Sequence, residues 1–220
     1  MSQSDSFIDE VTEEVRREKL FTNMKRYGWI AVVLVLAIVA GAAWYEYSRS
    51  QNEAKAEAFG DSVLTALEQG EPAERATALG AIDGTTPQGE ATKGLLEAAE
   101  LASSGDQMAA VAVLNSISEN MELPVLYRSI AQFRALALQS DTLTPAERRD
   151  GYDGLAGAGS PLRLLAMEQI AVTYVEEGDR DEALSRLNSL MDEAGASADL
   201  LRRVSQLIVS LGGTLGETSN

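Results

Sequence analysis

The chain has 220 residues, contains neither cysteine nor histidine, and carries a formal net charge of −16. Those two absences exclude a Ser-His-Asp or Cys-His nucleophile, a thiolate redox centre, a metal site built on His or Cys, and any disulfide framework. Residues 29–220 hold 13 basic and 28 acidic groups, so phosphates and anionic headgroups are repelled and nucleic-acid binding is excluded; the plain role of that charge is solubility.

Residues 1–26 form a leader with five basic groups (Arg16, Arg17, Lys19, Lys25 and Arg26) among acidic ones. Ile8, Val11 and Val15 recur at helical spacing after Ser6 and Asp9, residue types that start helices, which allows a short amphipathic helix touching the membrane surface or a cytosolic partner; a solvated, partly frayed leader is the favoured reading. The next segment, residues 27–47, is the strongest signal in the chain. Its uncharged stretch, residues 27–45, makes a helix about 28 Å long against a hydrocarbon core of about 30 Å. Ile30, Val32, Val33, Leu34, Val35, Leu36, Ile38 and Val39 each favour insertion by roughly 0.3 to 0.6 kcal/mol, and no charge opposes them.

Lys25, Arg26 and Trp29 on one side, with Trp44 and Tyr45 on the other, have the character of interfacial anchors. Only Arg49 and Lys55 follow closely, so the positive-inside rule predicts a cytoplasmic N-terminus with the bulk of the chain outside. Two readings compete with a permanent span. A buried core helix is one; a signal peptide cleaved after Ala40-Gly41-Ala42 is the other, although the acidic leader is much longer than a usual n-region. Ala37, Gly41 and Ala42 offer small surface for packing on another membrane helix, while a plain lipid-facing anchor needs no such contact.

Residues 48–211 are rich in Ala, Leu, Glu, Ser and Gly and lack the alternation of strands, so an all-α domain is predicted. With only 5% aromatic residues, close packing through alanine replaces a bulky centre. Turn signals stand at Gly70-Glu71, Gly105-Asp106, Ser140-Asp141 and Gly178-Asp179, at intervals of 35, 35 and 38 residues. Each separates two helical patterns, with Gly or Ser ending the first and an acidic residue suited to the positive end of the second. Leu79, Leu114 and Leu187 follow their turns by nine residues, and Ile82, Ile117 and Leu190 by twelve. In the third unit Leu143-Thr144-Pro145 delays the second helix.

Ala110 and Ala183 allow close helix approach, and Pro87, Pro124 and Pro161 open successive units, where a missing N–H costs nothing. Residues 50–83 form a first, membrane-proximal unit. At the other end, residues 196–211 form a lone closing helix with Leu200, Leu201, Val204, Leu207, Ile208 and Leu211 on its apolar side. Residues 212–220 read as a loose tail; Gly212, Gly213 and Gly216 lack the strand and Lys-Ser/Thr of a phosphate loop.

A turn glycine between two helices of about 34 residues in total, with a small residue in each, resembles the tetratricopeptide repeat. Ala171, Tyr174, Gly178, Ala183 and Leu187 match it best; Ala98, Leu101, Gly105, Ala110 and Leu114 keep the frame without the aromatic, and another class of helix-pair solenoid is the alternative. The layout as a whole, with the segment MKRYGWIAVVLVLAIVAGAAWYEYSRSQNEAKAEAF, resembles the YfgM family of bacterial inner-membrane proteins. That resemblance implies a single-pass anchor, a periplasmic α-solenoid of antiparallel helix pairs, and an accessory role at the SecYEG translocon beside periplasmic chaperones and secretory chains.

In such a stack the first helices line a groove that accepts a peptide or a partner helix. The frame places Thr92 and Leu95, then Tyr127, Ile130 and Arg134, then Leu165, Glu168 and Val172 along it. Tyr127 and Arg134 are the strongest candidates, since an amphipathic ring and a planar donor fork commonly anchor interfaces; packing over neighbouring helices is the alternative for both. No cofactor, metal or small-molecule substrate is expected. Two other functions remain open: an accessory or assembly factor of a different envelope, division or respiratory complex, and an all-helical carboxylate hydrolase. A Ser-Lys dyad has little support, because Lys55 and Lys93 lie in no recognisable motif.

Overall fold

A computed structural model describes residues 4–84 and 86–214. Among them are nine α-helices and no strand. The chain divides into two units, one ending at Glu57 and one beginning at Ala58.

The first unit is made of α1 (Ser4–Leu67), whose last turns belong to the second. The leader is thus helical from Ser4, while the side chains of Ile8, Val11, Val15 and Arg26 lie outside the described residues. Ile30, Val32, Val33, Leu34, Val35, Leu36, Ile38 and Val39 are 46–62% exposed. One helix among the described residues, α1, is long and apolar enough to cross a membrane, and none of its apolar window is buried by protein. Exposure of that many adjacent apolar side chains to water is strongly unfavourable, and a bilayer removes the cost. Lys25, Trp29, Trp44 and Tyr45 are likewise exposed on α1.

The second unit continues with α2 (Pro72–Gly80), α3 (Pro87–Ser103), α4 (Gln107–Glu119), α5 (Val125–Leu138), α6 (Pro145–Asp153), α7 (Arg163–Glu177), α8 (Arg180–Met191) and α9 (Ala198–Ser210). All four turn signals fall between helices.

The two Gly-Asp turns share one geometry. Gly105 and Gly178 have φ of 90° and 81°, a left-handed conformation that glycine adopts without a Cβ clash. In the first, the N–H of Asp106 donates to the Leu101 carbonyl at 2.9 Å; in the second, the N–H of Asp179 donates to the Tyr174 carbonyl, also at 2.9 Å. Each aspartate then caps the next helix, accepting from the N–H of Ala109 at 3.0 Å or of Glu182 at 3.2 Å. One dipeptide thus closes one helix and opens another.

The third turn works differently. Thr144 and Glu147 form a reciprocal cap before α6, with bonds of 3.2 and 2.8 Å, so the helix starts at Pro145 as the sequence delay predicts. The Glu147 carboxylate accepts from both the N–H and the hydroxyl of Thr144, which holds it below its ordinary range.

Helices pack in sequence order around three apolar clusters. Ala91, Ala98, Ala110, Leu114, Ala131 and Ala135 fill most of the α3–α5 cluster, which is the alanine packing expected from composition. A Cβ on Gly94 would stand 3.0 Å from Ile117, so this helix pair approaches as closely as its side chains allow. Leu136, Tyr152, Leu155, Ala166 and Ile170 join α5, α6 and α7. Burial raises the Tyr152 hydroxyl to about 12. Ala171, Leu187, Leu190, Leu200, Val204 and Ile208 unite α7, α8 and α9. The closing helix buries Leu200, Val204 and Ile208, with Leu201, Leu207 and Leu211 half-buried beside them. Arg180 then donates to the Leu211 and Gly212 carbonyls at its end. Of the expected tail, residues 215–220 lie outside the described residues.

Candidate functional site

Tyr127, Ile130 and Arg134 lie on α5 at spacings of three and four, which puts them on one face. Tyr127 is half-buried and packs against the α3–α5 cluster, as does Leu95 of α3. Ile130 is half-buried; Thr92 and Arg134 are exposed.

Arg134 borders an apolar cavity of about 170 Å³. Ala98, Ala99 and Ala102 of α3 line one side, Ala137 and Leu138 of α5 the other, and Leu114 of α4 also contributes. Space is left where Ala98, Ala99 and Ala102 of α3 face Ala137 of α5, because a methyl group fills less of the gap between two helices than a longer side chain does. These alanines were not among the sequence candidates. Their signal is present in the chain, since 98 and 102 are one turn apart and 134, 137 and 138 share a face.

Arg134 differs from its counterparts in another way. Residues 58–214 contain ten arginines, and nine bond to other described residues. Arg75 pairs with Glu100 at 2.7 Å, Arg149 with Glu177 at 2.8 Å, and Arg163 with Glu193 at 2.7 Å. Arg148 pairs with Glu176, Arg186 with Glu182 and Arg202 with Asp199. Arg128 and Arg180 donate to backbone carbonyls, and Arg203 binds Glu168. Among the described residues Arg134 has no hydrogen-bond or ion-pair partner, so its donor fork is available in a strongly acidic unit.

The three α7 candidates are placed differently. Leu165 is half-buried against the α7–α9 cluster and lines a second cavity with Leu162, Gly195 and Leu200. Val172 is half-buried. Glu168 is 5% exposed and accepts two hydrogen bonds from Arg203 of α9, at 2.9 and 2.6 Å. That bidentate contact raises Arg203 above its ordinary value. Glu168 is thus engaged inside the unit, 35 residues from its partner in sequence, and Arg134 is the candidate with free bonding capacity.

The Glu168 pair gives a stability test. Arg203→Ala leaves a buried carboxylate unpaired and is expected to lower unfolding free energy by about 2 kcal/mol, less than for a fully buried pair because Arg203 is half-exposed. Urea midpoints of the wild type, the single variant and an Arg203→Leu, Glu168→Leu double variant measure it; the double variant should recover most of the loss.

Among the described residues no group of three or more Asp, Glu, His or Cys side chains is placed to hold a metal ion. No family model, curated protein or solved structure matches this chain.

Proposed function

We propose that the chain is a membrane-anchored accessory protein whose helical unit binds protein partners through the α3/α5 groove. The observation that carries this reading is Arg134, a cation without a partner among the described residues, beside an open apolar cavity. Interfaces are commonly anchored by such a combination of a desolvated apolar pocket and a guanidinium. The exposed apolar stretch of α1 supports the anchor, and the Lys and Arg residues before it support a cytoplasmic N-terminus with the helical unit in the periplasm.

Within this reading the second unit is a tetratricopeptide-like solenoid. Its sequential packing and its repeated Gly-Asp turns favour that class of stack. The resemblance to the YfgM family then suggests the site of action: the SecYEG translocon, where the unit would meet emerging secretory chains and periplasmic chaperones. No catalytic role is assigned to any residue.

Crosslinking in native membranes followed by mass spectrometry tests the assignment. Translocon subunits and secretory chains are expected among the adducts, and Arg134→Glu should reduce them at least fivefold while helical circular dichroism is unchanged. Abundant adducts to a different complex, with none to the translocon, would overturn the translocon assignment. Recovery unaffected by both Arg134→Glu and Tyr127→Ala would overturn the groove.

A further inference from the structure

Leu138, on the wall of the cavity beside Arg134, also lines a neighbouring cavity of about 460 Å³ together with Asp106, Met108, Val111, Gln139 and Thr142. Met108 is 84% exposed, and the flexibility of its side chain suits contact with varied partners. Two adjoining cavities therefore share Leu138, with Arg134 at the smaller and an adaptable thioether on the wall of the larger.

Resting on the reading that this groove binds protein partners, we propose that its ligand is an internal stretch of polypeptide carrying one aromatic or leucine-sized side chain close to a single Asp or Glu. The apolar side chain fills the alanine-lined compartment, and the carboxylate pairs with Arg134.

Three observations select that chemistry. The compartment, at about 170 Å³, is comparable to an engineered apolar cavity of roughly 150 Å³ that takes up benzene, so one large side chain matches it. A planar donor fork pairs best with a carboxylate, by two parallel hydrogen bonds. Finally, residues 29–220 carry 28 acidic against 13 basic groups, so a run of acids is repelled while an isolated one beside Arg134 is not. The adjoining cavity on the other side of Leu138 gives the ligand chain room to run on, which favours an internal segment over a free terminus.

The test uses the full chain in lipid nanodiscs and two random-peptide display libraries, one presenting peptides with no free C-terminus and one presenting free C-termini. The first library should yield a consensus with Phe, Tyr, Trp or Leu within about three positions of one Asp or Glu. Panning on Arg134→Gln should lose the acid and keep the apolar residue; panning on Ala137→Leu, which fills the cavity from an exposed position, should lose the apolar residue. A synthetic consensus peptide should bind about tenfold more weakly when its acid becomes an amide, with no such difference on Arg134→Gln.

Peptides that depend on Ala137 but lack a required acid would overturn this ligand assignment and leave the groove reading intact. Enrichment confined to free C-termini would overturn the internal-segment claim. Failure to enrich any peptide sensitive to Ala137→Leu would overturn the groove reading itself.

Discussion

Val33→Asp combined with Leu36→Asp is expected to release the chain from membranes. Eight strongly apolar residues supply about −2 to −5 kcal/mol of insertion free energy in total, whereas each central Asp adds about +2.5 to +3.5 kcal/mol and removes one favourable residue. Two such changes reverse the sign. Aspartate is the informative choice because added Lys or Arg would also perturb orientation through the positive-inside rule. Alkaline carbonate extraction followed by immunoblotting reads the outcome: the double variant moves to the supernatant, and a Val33→Ile, Leu36→Ile control remains in the pellet. Retention of the double Asp variant would mean that residues 27–47 are not what holds the chain to the bilayer.

Leu187→Ala is expected to destabilise the second unit by about 3 kcal/mol, within the range for a fully buried leucine whose site only partly collapses. Leu187 is 0% exposed and packs with Ala171, Leu190, Leu200, Val204 and Ile208, all from α7, α8 and α9. The location of the loss matters as much as its size. In a stack where each helix touches its sequence neighbours, a cavity in the last cluster weakens that end first. Hydrogen exchange should rise across α7–α9 and stay near wild type in α3 and α4, whose cluster centres on Leu114 and Ala110. A uniform rise over the whole unit would indicate one cooperative core and argue against the proposed solenoid.

Local chemistry explains which features were legible in the sequence. A Gly-Asp pair encodes its own geometry, since glycine takes the left-handed residue and aspartate caps the next helix, so the turns at 105 and 178 were readable from two letters. Thr144, Pro145 and Glu147 encode the late start of α6 in the same way. The apolar run in α1 needs no tertiary information at all.

What depends on distant partners was not legible. Glu168 reads as a groove position in the expected repeat frame, but Arg203, which pairs with it, comes from α9, beyond the last expected unit. The cavity beside Arg134 arises from where α3 and α5 meet, and an alanine that packs tightly looks the same in sequence as one that leaves space. The free state of Arg134 is legible only after the acids that pair with the other arginines have been placed.

The central claim is that the face of α5 carrying Arg134 meets a protein partner in the cell. It is tested most directly by a photoreactive residue substituted for Leu126, 49% exposed on α5 one turn from Ile130 and outside the cavity, with a second one at Ala112, exposed on α4. Illumination of intact cells should give discrete adducts from position 126, lost with Arg134→Glu, and none from position 112. Absence of adducts at 126, or adducts that persist with Arg134→Glu, would contradict the account.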